Sequence, residues 1–223
     1  MTTFNIGFVI FPNLTQLDFT GPLQVLNRVP GAKTHIVAKT LEPVPSDCGL
    51  GLLPTTTFDS CVPLDLICVP GGAGVVDAMA DHETVDFVRR QAAGAKYVTS
   101  VCTGTFVLGA AGLLKGRRAT THWAYSDFLA MVGASFEKAR IVQDGNLFTA
   151  GGVTSGIDFA LKVAAEIAGP ETAQAIQLAI EYDPTPPFAC GHPDRAPELA
   201  KSLVASRFAR TREIYRAAIL RLG

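Results

Sequence analysis

Apolar positions along the chain follow two rhythms. Residues 4–11, 64–69 and Tyr97–Val101 are near-continuous apolar or β-branched runs, the pattern of strands buried on both faces of a parallel sheet. Residues 34–38 and Leu147–Ala150 read as further strands, with shorter candidates at 118–121 and 141–142. Between them the spacing turns helical. Residues 14–29 predict a helix that breaks at Thr20-Gly21-Pro22, because proline suits the first turn of a new helix. Further helices are predicted over 82–93, with Phe87 and Val88 inward, over 105–114, and over 157–168 and 171–182, the last two divided by the stop–start pair Gly169-Pro170. Gly145-Asn146 predicts a hairpin turn into Leu147–Ala150. Residues 39–63, which hold four prolines, predict a loop or an edge hairpin. Strand alternating with helix predicts an α/β sandwich around a mainly parallel sheet, with catalytic groups at the carboxyl ends of its strands.

Composition narrows the class. The 223 residues are 48% hydrophobic with a net charge of −1, which suits one sizeable core and a single domain over 1–223. Near-neutrality argues against a nucleic-acid binder. No apolar run approaches ~20 residues, and the first residues lack a basic leader, so neither a membrane span nor a signal peptide is expected. Five cysteines without a CxxC pair, and four scattered histidines, fit free thiols in a reducing cytoplasm and give no metal signature. The tail predicts one helix over about 196–221. Val204, Phe208, Tyr215, Ile219 and Leu222 form its apolar stripe, and six arginines with Lys201 make a basic side that is expected to be solvated.

The candidate chemistry gathers around Cys102. A buried strand ending at Val101 gives way to a helix from Thr105, with only Cys102, Thr103 and Gly104 between them. A cysteine at such a corner is a nucleophile elbow, held on a strained backbone at the sheet's carboxyl end. Free N–H groups at the helix start are expected to favour its thiolate. The commoner fate of a free cysteine is a small buried hydrophobe. Asp18 follows the first strand. If that strand lies beside the elbow strand, Asp18 meets Cys102 as a protonated acid beside a thiolate, sharing one hydrogen bond. A helix cap or turn explains an aspartate there equally well. Gly71-Gly72 directly follows a core strand, so their N–H groups could line an oxyanion-hole-like pocket with the N–H of Thr103, or form an ordinary turn. Gly151-Gly152 is a second such edge. His122 could serve Cys102 as a base or simply pack beside Trp123.

Taken in order, Asp18, Pro70-Gly71-Gly72, Val101-Cys102-Thr103-Gly104, Thr121-His122-Trp123 and Gly156-Ile157-Asp158 resemble the ThiJ/PfpI superfamily. That resemblance implies a flavodoxin-like three-layer sandwich related to class I glutamine amidotransferases. Gln16-Leu17-Asp18 with Thr20-Gly21-Pro22, the run from Ser100 to Gly104, the run from Ala119 to Tyr125, and Glu181-Tyr182 ahead of Pro184, Pro186, Pro187 and Phe188 resemble the branch that hydrates organic isocyanides. The resemblance implies attack by Cys102, proton donation by Asp18, and a reacting end held by the N–H groups of Thr103 and Gly72. Gly71, Gly151, Val153 and His122 would border the substrate. It also implies a homodimer, and neither metal nor organic cofactor. Many relatives carry glutamate where this chain has Asp18. Family proteases place histidine directly after the cysteine, where this chain has Thr103, so peptidase activity is not expected. Relatives that regulate transcription append a helix-turn-helix domain, where one long helix is predicted here. Two further readings stay open: a glyoxalase- or deglycase-like enzyme acting on α-oxoaldehydes, and a non-catalytic redox-sensing or chaperone-like protein whose cysteine oxidises readily.

Overall fold

The computed structural model describes residues 3–222. From edge to edge, the central sheet of seven strands runs Ile141–Asp144, Leu147–Ala150, Tyr97–Val101, Leu66–Val69, Phe4–Val9, Ala32–Ala38 and Thr56–Thr57. Every pairing is parallel except the hairpin between Ile141–Asp144 and Leu147–Ala150, whose turn places Gly145 at φ 58°. Leu66–Val69 and Leu147–Ala150 are buried at every residue, the first as its unbroken apolar character requires and the second with Thr149 as its one polar residue. Helices cover both faces. Gln16–Leu26 packs with Ser155–Ala168 and Pro170–Ala179, while Val75–Ala80, His82–Gly94, Thr105–Ala110 and Glu198–Leu220 form a second group.

Several elements depart from the periodicity. The first helix does not break at Pro22 but runs through it from Gln16 to Leu26. Pro22 has no N–H to offer the Asp18 carbonyl, yet tight packing holds the helix together. A methyl on Gly21 would lie 3.2 Å from Ile157 Cγ1, and one on Gly156 would lie 3.1 Å from Pro22 Cδ. The helix predicted over 105–114 stops at Ala110, where Gly112 takes φ 78° and turns the chain away. Of residues 118–121 only Arg118–Ala119 is strand, paired with Ser135–Phe136 outside the main sheet. The region 39–63 forms the hairpin of Val44–Pro45 with Gly51–Leu52, then the edge strand Thr56–Thr57. Val75–Ala80, at six residues, is too short to leave a readable period.

The first strand is not a neighbour of the elbow strand, because Leu66–Val69 lies between them. The distance is closed by the loop after that intervening strand. Leu14 bridges to Gly72, and the Thr15 N–H donates to the Gly71 carbonyl at 2.9 Å, which draws the start of the first helix onto the loop. The tail helix spans Glu198–Leu220. Its stripe buries Tyr215 and Ile219 and half-buries Phe208, whereas Leu222 is 39% exposed.

Candidate active site

The elbow forms as its sequence demands. Val101 keeps extended backbone at φ −120°, and Cys102 then switches to φ 56°, a conformation that costs a non-glycine residue ~1 kcal/mol or more. The corner is clamped from several sides. The Cys102 N–H donates to the Gly151 carbonyl at 2.8 Å, and the Cys102 carbonyl accepts from the Thr121 and Thr105 hydroxyls at 2.8 and 3.2 Å. Thr105 also shares a 2.9 Å hydrogen bond with Ser100 and donates to the Thr120 carbonyl at 3.1 Å. Gly104 admits no side chain, since a methyl there would lie 2.2 Å from the Val69 carbonyl oxygen. Cys102 itself is 6% exposed.

Asp18 lies in the first turn of its helix and is completely buried. Its Oδ2 accepts from the Gly71 N–H at 2.9 Å, while Oδ1 is buried without a partner. A methyl on Gly71 would stand 2.8 Å from both Asp18 Oδ2 and Thr103 Oγ1, so glycine is what lets the acid and the elbow close on each other. Burial dominates the electrostatics. It lifts the Asp18 carboxyl from 3.8 to about 7, against the opposing hydrogen bonds from Gly71 and Cys102. Burial, reinforced by the Asp18 charge, also pushes the Cys102 thiol well above its ordinary value. The N–H and hydroxyl of Thr103 pull the other way without prevailing. Each group's charge raises the other, so the two titrate as one coupled pair that shares a single negative charge near neutral pH.

The two glycine N–H groups after Leu66–Val69 are not free to hold a reacting atom. Gly71 gives its N–H to Asp18, and Gly72 gives its N–H to Thr103 Oγ1 at 3.1 Å. Their work is to fix the acid and the threonine. Gly151, Val153 and His122 lie elsewhere, on a cleft of about 590 Å³ shared with Thr121, Trp123, Lys138, Arg140, His192 and Arg195. This cleft backs onto the elbow, because Gly151 and Thr121 both bond to Cys102. His122 uses Nδ1 to accept the Ala124 N–H at 3.2 Å and packs against Trp123, Tyr125 and Phe208. Burial lowers it from 6.5 to about 4, so its ring stays neutral and caps a turn. Among the described residues no hydrogen bond joins it to Cys102.

Tyr215 was not among the residues the sequence singled out for chemistry, yet it reaches the site from the tail helix. Its hydroxyl lies 2.6 Å from the Gly72 carbonyl oxygen and 3.0 Å from Thr103 Oγ1. Only its place in an apolar stripe was visible. Among the described residues no group of three or more His, Cys, Asp or Glu side chains could hold a metal ion, and no helix is long and apolar enough to cross a membrane. All five cysteines are free.

The model of the DJ-1/PfpI family matches residues 5–166. Over 192 residues the chain is 61% identical to the isonitrile hydratase of Pseudomonas putida, covering 86% of this chain and 84% of that protein. A solved structure of a ThiJ/PfpI family protein from Pseudomonas syringae superposes with a TM-score of 0.96 at 42% identity, over 98% of this chain and 91% of that one. DJ-1beta of Drosophila melanogaster superposes with a TM-score of 0.71 at 24% identity, over 82% of this chain and 100% of that one, a likeness of fold alone.

Proposed function

The chain belongs to the DJ-1/PfpI family, and from that premise we propose that it hydrates organic isocyanides, turning R–N≡C and water into the N-substituted formamide. The observation that carries this reading is the buried Asp18–Cys102 pair, a carboxyl raised by burial facing a cysteine held at positive φ. The 61% identity to a protein named isonitrile hydratase supports it.

The chemistry follows from the proton positions. Asp18, as carboxylate, takes the thiol proton of Cys102 while sulfur bonds to the terminal isocyanide carbon. The carboxylic acid so formed gives its proton to that carbon, leaving a thioimidate, R–N=CH–S–Cys102. Asp18, a carboxylate again, removes a proton from the attacking water and passes it to the nitrogen as the C–O bond forms, so that it ends the step as a carboxylate. Collapse of the tetrahedral adduct breaks the C–S bond, releases the formamide and returns the proton to sulfur. A carboxyl poised near pH 7 is suited to both directions of transfer. Thr103, through its N–H and hydroxyl, stabilises the sulfur as it loses its proton. No step calls on a metal or an organic cofactor.

The α-oxoaldehyde reading has less support, because His122 is a neutral cap without a bond to the sulfur. A redox sensor wants an accessible thiol of lowered pKa, and Cys102 is buried with a raised one. The reading also places the chain in the cytoplasm as a homodimer.

The test is steady-state turnover of a simple aryl isocyanide, followed as formamide, with wild type and Cys102→Ala. Turnover that disappears in the folded variant supports the activity and its nucleophile together. A wild type without turnover removes the proposal, and a variant that keeps it removes Cys102.

A further inference from the structure

The cleft beside the elbow is built unevenly. Its buried part includes Gly151, whose carbonyl accepts the Cys102 N–H at 2.8 Å. A methyl on Gly151 would meet nothing nearer than the Arg140 and Thr121 carbonyl oxygens, at 3.6 and 3.8 Å. Packing therefore leaves room at this glycine, where it leaves none at Gly71 or Gly104. The outer part holds two large aromatic rings left facing solvent, Trp123 at 39% and Phe136 at 47% exposed. Rings left bare in a concave site are a surface on which the apolar body of a ligand stacks.

Charge in the cleft is one-sided. Lys138, Arg140 and Arg195 line it against a single carboxylate, Asp194, in a chain whose net charge is −1. Asp194 pairs with Lys138 at 2.6 Å, and Asp158, which does not line the cleft, pairs with Arg140. Arg195 is exposed, and among the described residues no carboxylate lies within ion-pair distance of it. One cation is thus left over, and a concave wall of one sign concentrates ligands of the other. A guanidinium meets a carboxylate through two parallel N–H donors. We propose that the cleft selects isocyanides that carry a carboxylate. Arg195 takes the carboxylate, Trp123 and Phe136 take the apolar body, and the isocyanide end points toward Gly151 and the elbow. The inference names a substrate class for the proposed hydration and rests on that reading.

The first readout is binding and needs no turnover. The probes are para-formamidobenzoate and para-formamidobenzamide, the hydration products of a matched pair of isocyanides that differ in charge and hardly in shape. Titration calorimetry on the wild type at low salt should find the benzoate bound about fivefold more tightly, the gain expected of an exposed ion pair, and added salt should shrink the preference. In Arg195→Gln the preference should fall below about twofold. Arg207→Gln removes an exposed arginine of the tail helix away from the cleft and should keep the preference, which separates a local contact from the charge of the whole chain. Between wild type and Arg195→Gln, the kcat/KM ratio of para-isocyanobenzoate to para-isocyanobenzamide should drop by the same factor as the binding preference. The electronic difference between the two substrates cancels in that comparison. The proposal is overturned by a wild type without a preference for the benzoate, by a preference that survives in Arg195→Gln, or by an equal loss in Arg207→Gln. A wild type that turns over neither isocyanide strikes the proposed activity instead, and the binding arm still judges the cleft.

Discussion

Asp18→Asn should make the protein more stable in mild base and, over the same change of pH, less sensitive to it. A completely buried carboxyl raised from 3.8 to about 7 binds its proton more tightly in the folded chain than in the unfolded one. Between those two values the folded state holds a proton that the unfolded state has released, so stability falls as pH rises through the window. The whole shift corresponds to ~4 kcal/mol of stability present below pH ~4 and lost above pH ~7. Between about pH 5 and about pH 8 the part that remains to be lost is ~2.5 kcal/mol. Cys102 adds little to the slope there, because an unfolded thiol is itself still mostly protonated at about pH 8. Asparagine can still accept the Gly71 N–H, but it buries an amide NH2 beside the sulfur at a cost of ~1–3 kcal/mol at every pH. The difference between the two slopes is therefore cleaner than either absolute stability. Urea unfolding of both proteins at the two pH values measures it: wild type should lose ~2.5 kcal/mol more than Asp18→Asn between them. Turnover by the variant should drop ~100-fold or more, since the amide cannot exchange the proton. Parallel pH dependence in the two proteins would mean that Asp18 is ionised throughout, and the proton shuttle built on its raised pKa would be wrong.

Cys102 offers a comparison of two dead variants. Glycine and alanine both remove the sulfur, but only glycine takes φ 56° without strain, so Cys102→Gly should outlast Cys102→Ala by ~1 kcal/mol in urea unfolding. Gly104→Ala, which drives a methyl to 2.2 Å from the Val69 carbonyl oxygen, should cost ~3 kcal/mol or leave no soluble protein, read as a fall in Tm or in yield. His122 titrates in the opposite sense to Asp18. Lowered from 6.5 to about 4, it binds a proton more readily when unfolded, so its contribution is present above pH 6.5 and is lost as pH falls toward 4. His122→Asn keeps an acceptor for the Ala124 N–H and should flatten the acid side of the stability curve, as thermal melts across that range would show.

What could be read from the chain differs sharply between its parts. The elbow is legible because everything that makes it is local. A β-branched run, a cysteine, two small residues and a helix follow one another without a gap, and the structure places Cys102 at the turn they describe. The sheet is legible for the same reason, since continuous apolar runs leave little choice but burial on both faces. Asp18 is legible as a candidate but not in its route. That route depends on the intervening strand and on a backbone bond from Thr15 to Gly71, a pairing of residues 56 positions apart that no period announces. The depth of burial that governs both members of the pair is likewise absent from the sequence, whereas the helix-end N–H groups are visible there. Tyr215 was hidden more completely. It satisfies its helix as an apolar residue whether or not its hydroxyl finds a partner, so helical spacing cannot separate the two roles.

The same comparison bears on why the local rules break where they do. A cysteine at positive φ, a buried carboxyl oxygen without a partner and glycines that no methyl could replace are each unfavourable for a stable fold, and here they meet at one rim of the sheet. Three stretches of backbone, around residues 15–18, 71–72 and 102–104, must approach within contact of one another to assemble it. Gly71 and Gly104 are what permit that approach, and the hydrogen bonds through Thr105, Thr121 and Gly151 hold the strained corner in place. Were this geometry only a means of packing, a small apolar residue at 18 and a glycine at 102 would pack it with less strain and no buried charge. An acid and a thiol kept there against burial and backbone preference are what the proposed proton transfer at sulfur would require, and packing does not account for them.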